Sequence, residues 1–106
     1  MDVATSVHGV PIRLTDERWA HILKNHPEVE PYRSNVLTTI SDPDVVLRSE
    51  ENARCAVRAI TDEWHLVVLY REVDDEDGFI ITSWLTTRAE RVLKKEVLWM
   101  RSSSRQ

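Results

Sequence analysis

The sequence predicts an α+β fold: two N-terminal helices packed on a four-stranded, mainly antiparallel sheet, with a C-terminal helix. Three observations carry this expectation. Apolar residues recur at spacings of three and four as far as Ile40, then in extended patterns from Val45 to Leu85. The loops between the later extended segments are too short for parallel crossovers. The composition, 106 residues with 42% hydrophobic, 30% charged and only two Gly and four Pro, is that of a single folded domain, with a core expected across about residues 7–99.

Val7 to Leu14 reads as a short first strand, with Pro11 holding it near an edge. Thr15 is a good helix cap, and Asp16 and Glu17 place negative charge where backbone N–H groups are free. Trp19, Ile22, Leu23 and His26 then follow on one helical face, and Pro27 ends the helix near Asn25. Pro31 opens a second helix whose inner face holds Tyr32, Val36, Leu37 and Ile40; Ser41-Asp42-Pro43-Asp44 turns the chain.

Val45 to Ser49 and Arg54 to Thr61 read as strands. Trp64 to Val73, with seven apolar residues among ten, fits a central strand. Asp74 to Gly78 is an acidic turn and Phe79 to Leu85 a further strand. A last helix is expected from Arg88 to Trp99, although Glu96 fits its apolar stripe poorly.

Alternation along the strands groups Cys55, Val57, Ala59, Trp64, Leu66, Val68, Tyr70, Phe79, Ile81, Ser83 and Leu85 on the helix side. The opposite side then carries Arg54, Arg58, His65, Arg71, Ile80, Thr82, Trp84 and Thr86. This grouping assumes that the strands pair in order and that no bulge switches the phase. Arginines, a histidine and a tryptophan on one face suit a phosphate backbone and a stacked base, or equally an acidic protein; a plain solvated sheet face is the alternative. Beyond Leu85, Arg88, Arg91, Lys94, Lys95, Arg101 and Arg105 outnumber Glu90 and Glu96, a second basic surface or an ordinary polar helix face.

A formal net charge of -4 excludes a generally cationic DNA-coating protein. The lone Cys55 cannot form an internal disulfide, so a reducing, cytoplasmic setting is expected. No apolar run approaches a bilayer span, and MDVATSVHG lacks the basic and apolar regions of a signal peptide. Without H-E-x-x-H, a cysteine cluster, a calcium loop, G-x-G-x-x-G or G-x-x-x-x-G-K-[ST], neither a metal nor a cofactor is expected. Among titratable groups, His26 at the helix exit is the first candidate for proton transfer, against a plain capping role. His21, about 140° around an ideal helix from it, is a weaker candidate. Cys55 reads as a buried thiol rather than a nucleophile.

The segment Arg13-Leu-Thr-Asp-Glu-Arg-Trp-Ala-His-Ile-Leu-Lys-Asn-His-Pro-Glu28 resembles the opening motif of the phage-associated branch of the barnase, EndoU, colicin and RelE-like nuclease superfamily. Leu66 to Arg71 and Gly78-Phe-Ile-Ile-Thr-Ser-Trp-Leu-Thr86 resemble its later motif, so the likeness spans about Arg13 to Trp99. The resemblance implies two helices on a four-stranded antiparallel sheet and a metal-independent, toxin-like endoribonuclease. It maps the family's histidines onto His21 and His26, its basic strand position onto Arg71 and its hydroxyl onto Thr82 or Ser83, with Thr86 and Arg88 at the following junction. The implied partners are RNA, such as tRNA or mRNA, and an antitoxin or immunity protein, with no membrane. A non-catalytic binding module on the same fold is the alternative.

Overall fold

The computed structural model describes residues 1–102. Its centre is a sheet of seven strands rather than four. In chain order these are β1 (Asp2–Thr5), β2 (Pro11–Leu14), β3 (Val45–Arg48), β4 (Arg54–Ala59), β5 (His65–Asp74), β6 (Asp77–Thr86) and β7 (Val97–Met100). Their order across the sheet is β1-β2-β6-β5-β4-β3-β7. Every pairing is antiparallel except the short parallel contact of β2 with β6 at Gly78 and Phe79.

Helix α1 (Asp16–Asn25) begins as its sequence predicts: the Thr15 hydroxyl accepts from the Arg18 N–H at 3.0 Å. It ends where Pro27 follows His26. A 3₁₀ turn, Pro27–Tyr32, contains Pro31 and leads into α2 (Arg33–Ser41). Arg33 ties three elements together. Its guanidinium pairs with Asp2 at 3.0 Å and Asp16 at 3.1 Å, and lies 5.4 Å from the Trp19 ring centroid.

Helices α1 and α2, with the turn between them, cover one sheet face. Trp19, Ile22, Val29, Val36 and Ile40 pack there on Ile12, Leu14, Val46, Ala56, Leu66, Val68, Tyr70 and Ile80. A smaller core lies on the opposite face, where Val45, Leu47, Cys55, Val57 and Val67 meet Leu69, Trp84 and Val92.

Three strands beyond β3–β6 overturn the four-stranded expectation: β2, the expected first strand, joins the sheet beside β6, and β1 and β7 extend its two ends. β1 pairs with β2 through a turn in which Ser6 N–H donates to the Val10 carbonyl at 2.8 Å. Gly9 takes φ +85 there, a conformation glycine adopts without steric cost. At the other end, the expected helix from Arg88 to Trp99 is only α3, Ala89–Val92, and the chain then extends as β7. The reason is packing. Val92 belongs to the small core and Trp99 packs on the helix-side core, so the two go to opposite faces of the sheet. Residues seven apart on one helix would share a face.

Gly78 marks a close approach between strands. A Cβ there would lie 2.5 Å from Ile12 Cδ1 and 2.6 Å from the Arg71 carbonyl oxygen. The second of these is backbone and cannot swing aside. Gly78→Ala is therefore expected to cost about 1–3 kcal/mol in urea unfolding. An unchanged midpoint would contradict this packing of β2, β5 and β6.

Candidate functional site

The strand register decides which predicted residues meet. Paired residues project on the same side of a sheet. Arg54 pairs with Tyr70, and Arg58 with Leu66, which places both arginines on the helix side. That corrects the grouping by alternation: β4 is apolar at Cys55, Ala56 and Val57 in succession, so its own pattern does not choose a face. β6 also departs from simple alternation. Thr82 pairs with Leu69 but Ile80 pairs with Tyr70, leaving Ile81 as an extra residue. Phe79 and Ile81 consequently turn to the side away from the helices, and Ile80 enters the main core.

The face away from the helices keeps five of the predicted residues. Arg71 lies opposite Phe79, Thr82 opposite Leu69, Trp84 opposite Val67, and Thr86 opposite His65. Around Arg71, a cleft of about 420 Å³ is lined by Leu69, Phe79, Ile81 and the Ser49–Ala53 loop. The Arg71 guanidinium is 3.9 Å from the exposed Glu51 carboxylate. The Thr86 hydroxyl accepts the Arg88 backbone N–H at 2.9 Å, so these two residues form the junction into α3. His65 has a buried Nδ1 with no hydrogen-bond partner among the described residues.

His26 reaches this face around its edge. β2 leaves β6 after Phe79, and α1 and the following turn run alongside the rest of the strand. There the His26 ring lies 6.0 Å from the Trp84 ring, tilted by 33°. The His26 backbone N–H caps the helix by donating to the Ile22 carbonyl at 2.7 Å. Its half-exposed imidazole is not used in the cap; Nδ1 lies 3.5 Å from the Glu28 carboxylate. Capping and a free imidazole are therefore compatible at this one residue.

Arg18 is a residue the sequence reading missed. Its guanidinium donates to the Ile81 carbonyl at 3.4 Å, on the same edge of β6. It also lines two adjacent recesses. One, about 350 Å³, is shared with Thr15, Glu17 and His21; the other, about 170 Å³, with Arg13, Thr15, Phe79 and Ile80. His21 thus stands beside Arg18, in a different recess from the His26–Trp84 contact. The helical spacing of Arg18 and His21 on α1 was a signal in the sequence; the bulge that brings the Ile81 carbonyl to Arg18 was not.

Arg54 and Arg58 serve the other face. Arg58 pairs with the Asp42 carboxylate at 3.1 Å and also donates to the Asp42 carbonyl. Arg101 pairs with Asp42 at 2.6 Å, and its hydrogen bond is the main cause holding that carboxyl below its usual range. Arg54 Nε lies 3.7 Å from Glu72, which also accepts the Ser6 hydroxyl at 2.6 Å and sits 3.3 Å from His8 Nδ1. Burial beside Glu72 raises the Tyr70 phenol, whose OH is enclosed without a partner among the described residues. This polar cluster anchors the β1–β2 turn to β5.

Among the described residues, no group of three or more His, Cys, Asp or Glu side chains is placed to hold a metal ion, and no helix is long and apolar enough to cross a membrane. Comparison with protein-family models, curated proteins and solved structures finds no match to this chain.

Cys55 lies in the small core, and burial pushes its thiol up to about 11. A rise from 9.0 lowers the thiolate fraction about 100-fold near neutral pH. Maleimide labelling of the native protein at pH 7.5 is expected to be slower than that of the denatured chain by at least that factor. Comparable rates would make Cys55 an accessible, reactive thiol.

Proposed function

We propose that this chain is a metal-independent endoribonuclease of the phage-associated barnase, EndoU, colicin and RelE-like type, working at the edge where α1 meets β6. The observation that carries the reading is the half-exposed His26 imidazole against Trp84, on a sheet face that also presents Thr82 and Arg71. A titratable ring, an aromatic surface and a guanidinium are the groups that internal phosphoryl transfer in RNA uses.

The geometry suggests the roles. Glu28 stands on the Nδ1 side of His26, which leaves Nε2 as the nitrogen for substrate. His26 moves the proton of a ribose 2′-hydroxyl or of the leaving oxygen. The 2′ oxygen forms a bond to phosphorus as the bond from phosphorus to the 5′ oxygen breaks. The 5′ oxygen takes up a proton, giving a 2′,3′-cyclic phosphate and a 5′-hydroxyl end. Trp84 stacks a neighbouring base. Thr82, the next residue along the same face, donates to a nonbridging oxygen.

Arg71 serves a flanking phosphate rather than the reacting one. From Val67, opposite Trp84, to Arg71 is four residues, about 13 Å along an extended strand. Arg18, on the Ile81 carbonyl beside Thr82, is the nearer guanidinium for the reacting phosphate. His21, beside Arg18, has a supporting role. His65 and Thr86 extend the same face, with Arg88 at the junction that follows, whereas Arg54 and Arg58 take no part. A toxin-like action on tRNA or mRNA, held in check by an antitoxin or immunity protein, is the setting that the sequence resemblance offers.

The test is incubation with labelled tRNA and mixed single-stranded RNA in excess EDTA, followed by analysis of product ends. Cleavage to cyclic phosphate is expected, with the rate lowered about 100-fold or more in His26→Ala protein whose folding is verified by circular dichroism. RNA binding without cleavage by the unaltered protein would overturn the enzyme reading in favour of a binding module.

A further inference from the structure

The sheet ends at β7, and that end differs from the rest of the molecular surface. Val97 to Met100 reads Val-Leu-Trp-Met, with no charge and no proline to discourage pairing, and its outer backbone edge meets no strand among the described residues. Edge strands with free backbone groups and apolar side chains are templates for another chain. The opposite edge, β1, begins at Asp2, which is paired with Arg33.

Beside β7 is a mainly apolar groove of about 330 Å³, formed by Val45, Leu47, Val57, Leu93, Val97 and Met100, with Asp44 and His65 completing its lining. Leu93, Val97 and Met100 are 45%, 47% and 62% exposed, high values for such residues. A register shift in β7 puts Val97 opposite Leu47 and Met100 opposite Val45, so both stand on the groove side. Trp99 is opposite Val46 and packs on the other core.

The segment that carries Leu93 and Val97 is rich in cations. Arg88, Arg91, Lys94 and Lys95 form no ion pair among the described residues, against one similarly unpaired acid, Glu90. The other nearby carboxylates are engaged: Glu96 with Arg48 at 3.1 Å, and Asp44 with Arg101 at 3.5 Å and with the Ala59 N–H at 2.8 Å. In a chain of net charge -4, this segment is locally cationic.

We propose that the β7 edge and its groove dock an extended acidic segment of a partner protein. The segment adds a strand to β7, lays an apolar side chain over Leu93, Val97 and Met100, and sets its carboxylates against Arg88, Arg91, Lys94 and Lys95. Backbone pairing supplies affinity, and the alternate side chains supply specificity. RNA would satisfy the cations but offers neither peptide groups for the strand edge nor aliphatic groups for the groove.

The probe is a fluorescein-labelled peptide of alternating glutamate and valine, titrated into the whole protein and followed by anisotropy. Binding is expected, with slowed amide exchange in β7 and at least about tenfold weaker affinity in both Lys94→Glu/Lys95→Glu and Met100→Glu proteins. A lysine–valine peptide and the acidic peptide with a central proline should bind at least about tenfold more weakly. No binding, or affinity unmoved by either variant, would overturn the proposal. So would sedimentation showing a dimer that Met100→Glu dissociates, or single-stranded RNA losing affinity in Lys94→Glu/Lys95→Glu protein where the peptide does not bind. None of these readouts depends on RNA cleavage.

Discussion

The antiparallel pairing of β5 with β6, ten residues against ten, sets the geometry of everything around it. From His65 opposite Thr86 to Leu69 opposite Thr82 the two strands are in regular register, which puts Thr82, Trp84 and Thr86 on one face and Leu66, Val68, Ser83 and Leu85 on the other. Ile81 then breaks the count. One extra residue in a strand bends it and changes the side on which its neighbours point. Here the change admits Ile80 to the main core, builds the cleft around Arg71 from Phe79 and Ile81, and presents a carbonyl to Arg18. Gly78 completes the arrangement by letting β2 meet β6 for two residues and no further, so that α1 occupies the remaining edge.

Around this hairpin, charge is sorted by where the register sends it. Arg54 and Arg58 alternate with Ala56 and so point to the helix side, where Glu72 and Asp42 receive them. Ser83 points the same way and satisfies its hydroxyl on the Val67 carbonyl at 2.8 Å, which leaves Thr82 and Thr86 as the β6 hydroxyls on the face away from the helices. Ser83 is enclosed and its hydroxyl committed, whereas Thr82 is partly exposed. A chain with an excess of carboxylates can in this way hold two local concentrations of cationic or titratable groups, one at the α1–β6 edge and one beyond β6.

Much of this was legible in the residues. Thr15 as a cap, Pro27 as a stop and the apolar density of the central strand depend on local chemistry, and each element lies where that chemistry puts it. The assignment of Trp84 and Thr86 to the face away from the helices needs only alternation within the regular stretch. What the sequence did not disclose depends on partners distant along the chain. Asp2–Thr5 has little intrinsic strand signal and is held by pairing with β2. Val97–Met100 has the spacing of a helix with Val92, yet Trp99 and Val92 belong to opposite cores. The face of β4 was undecidable from three consecutive apolar residues, and the bulge at Ile81 leaves no mark in composition. Arg18 was overlooked because its significance lies in a carbonyl 63 positions away.

The central claim is that the edge where His26 meets Trp84 receives RNA. The most direct measurement is a two-dimensional NMR titration of the labelled protein with a 2′-O-methyl oligoribonucleotide, which lacks the attacking hydroxyl and survives the experiment. The account predicts that the Trp84 indole N–H and the His26 imidazole resonances shift together and saturate with amides of Thr82, while His8 and Glu72 on the other side of the sheet do not move. Saturating shifts confined to residues away from β6 and α1, with Trp84 and His26 unchanged, would contradict it.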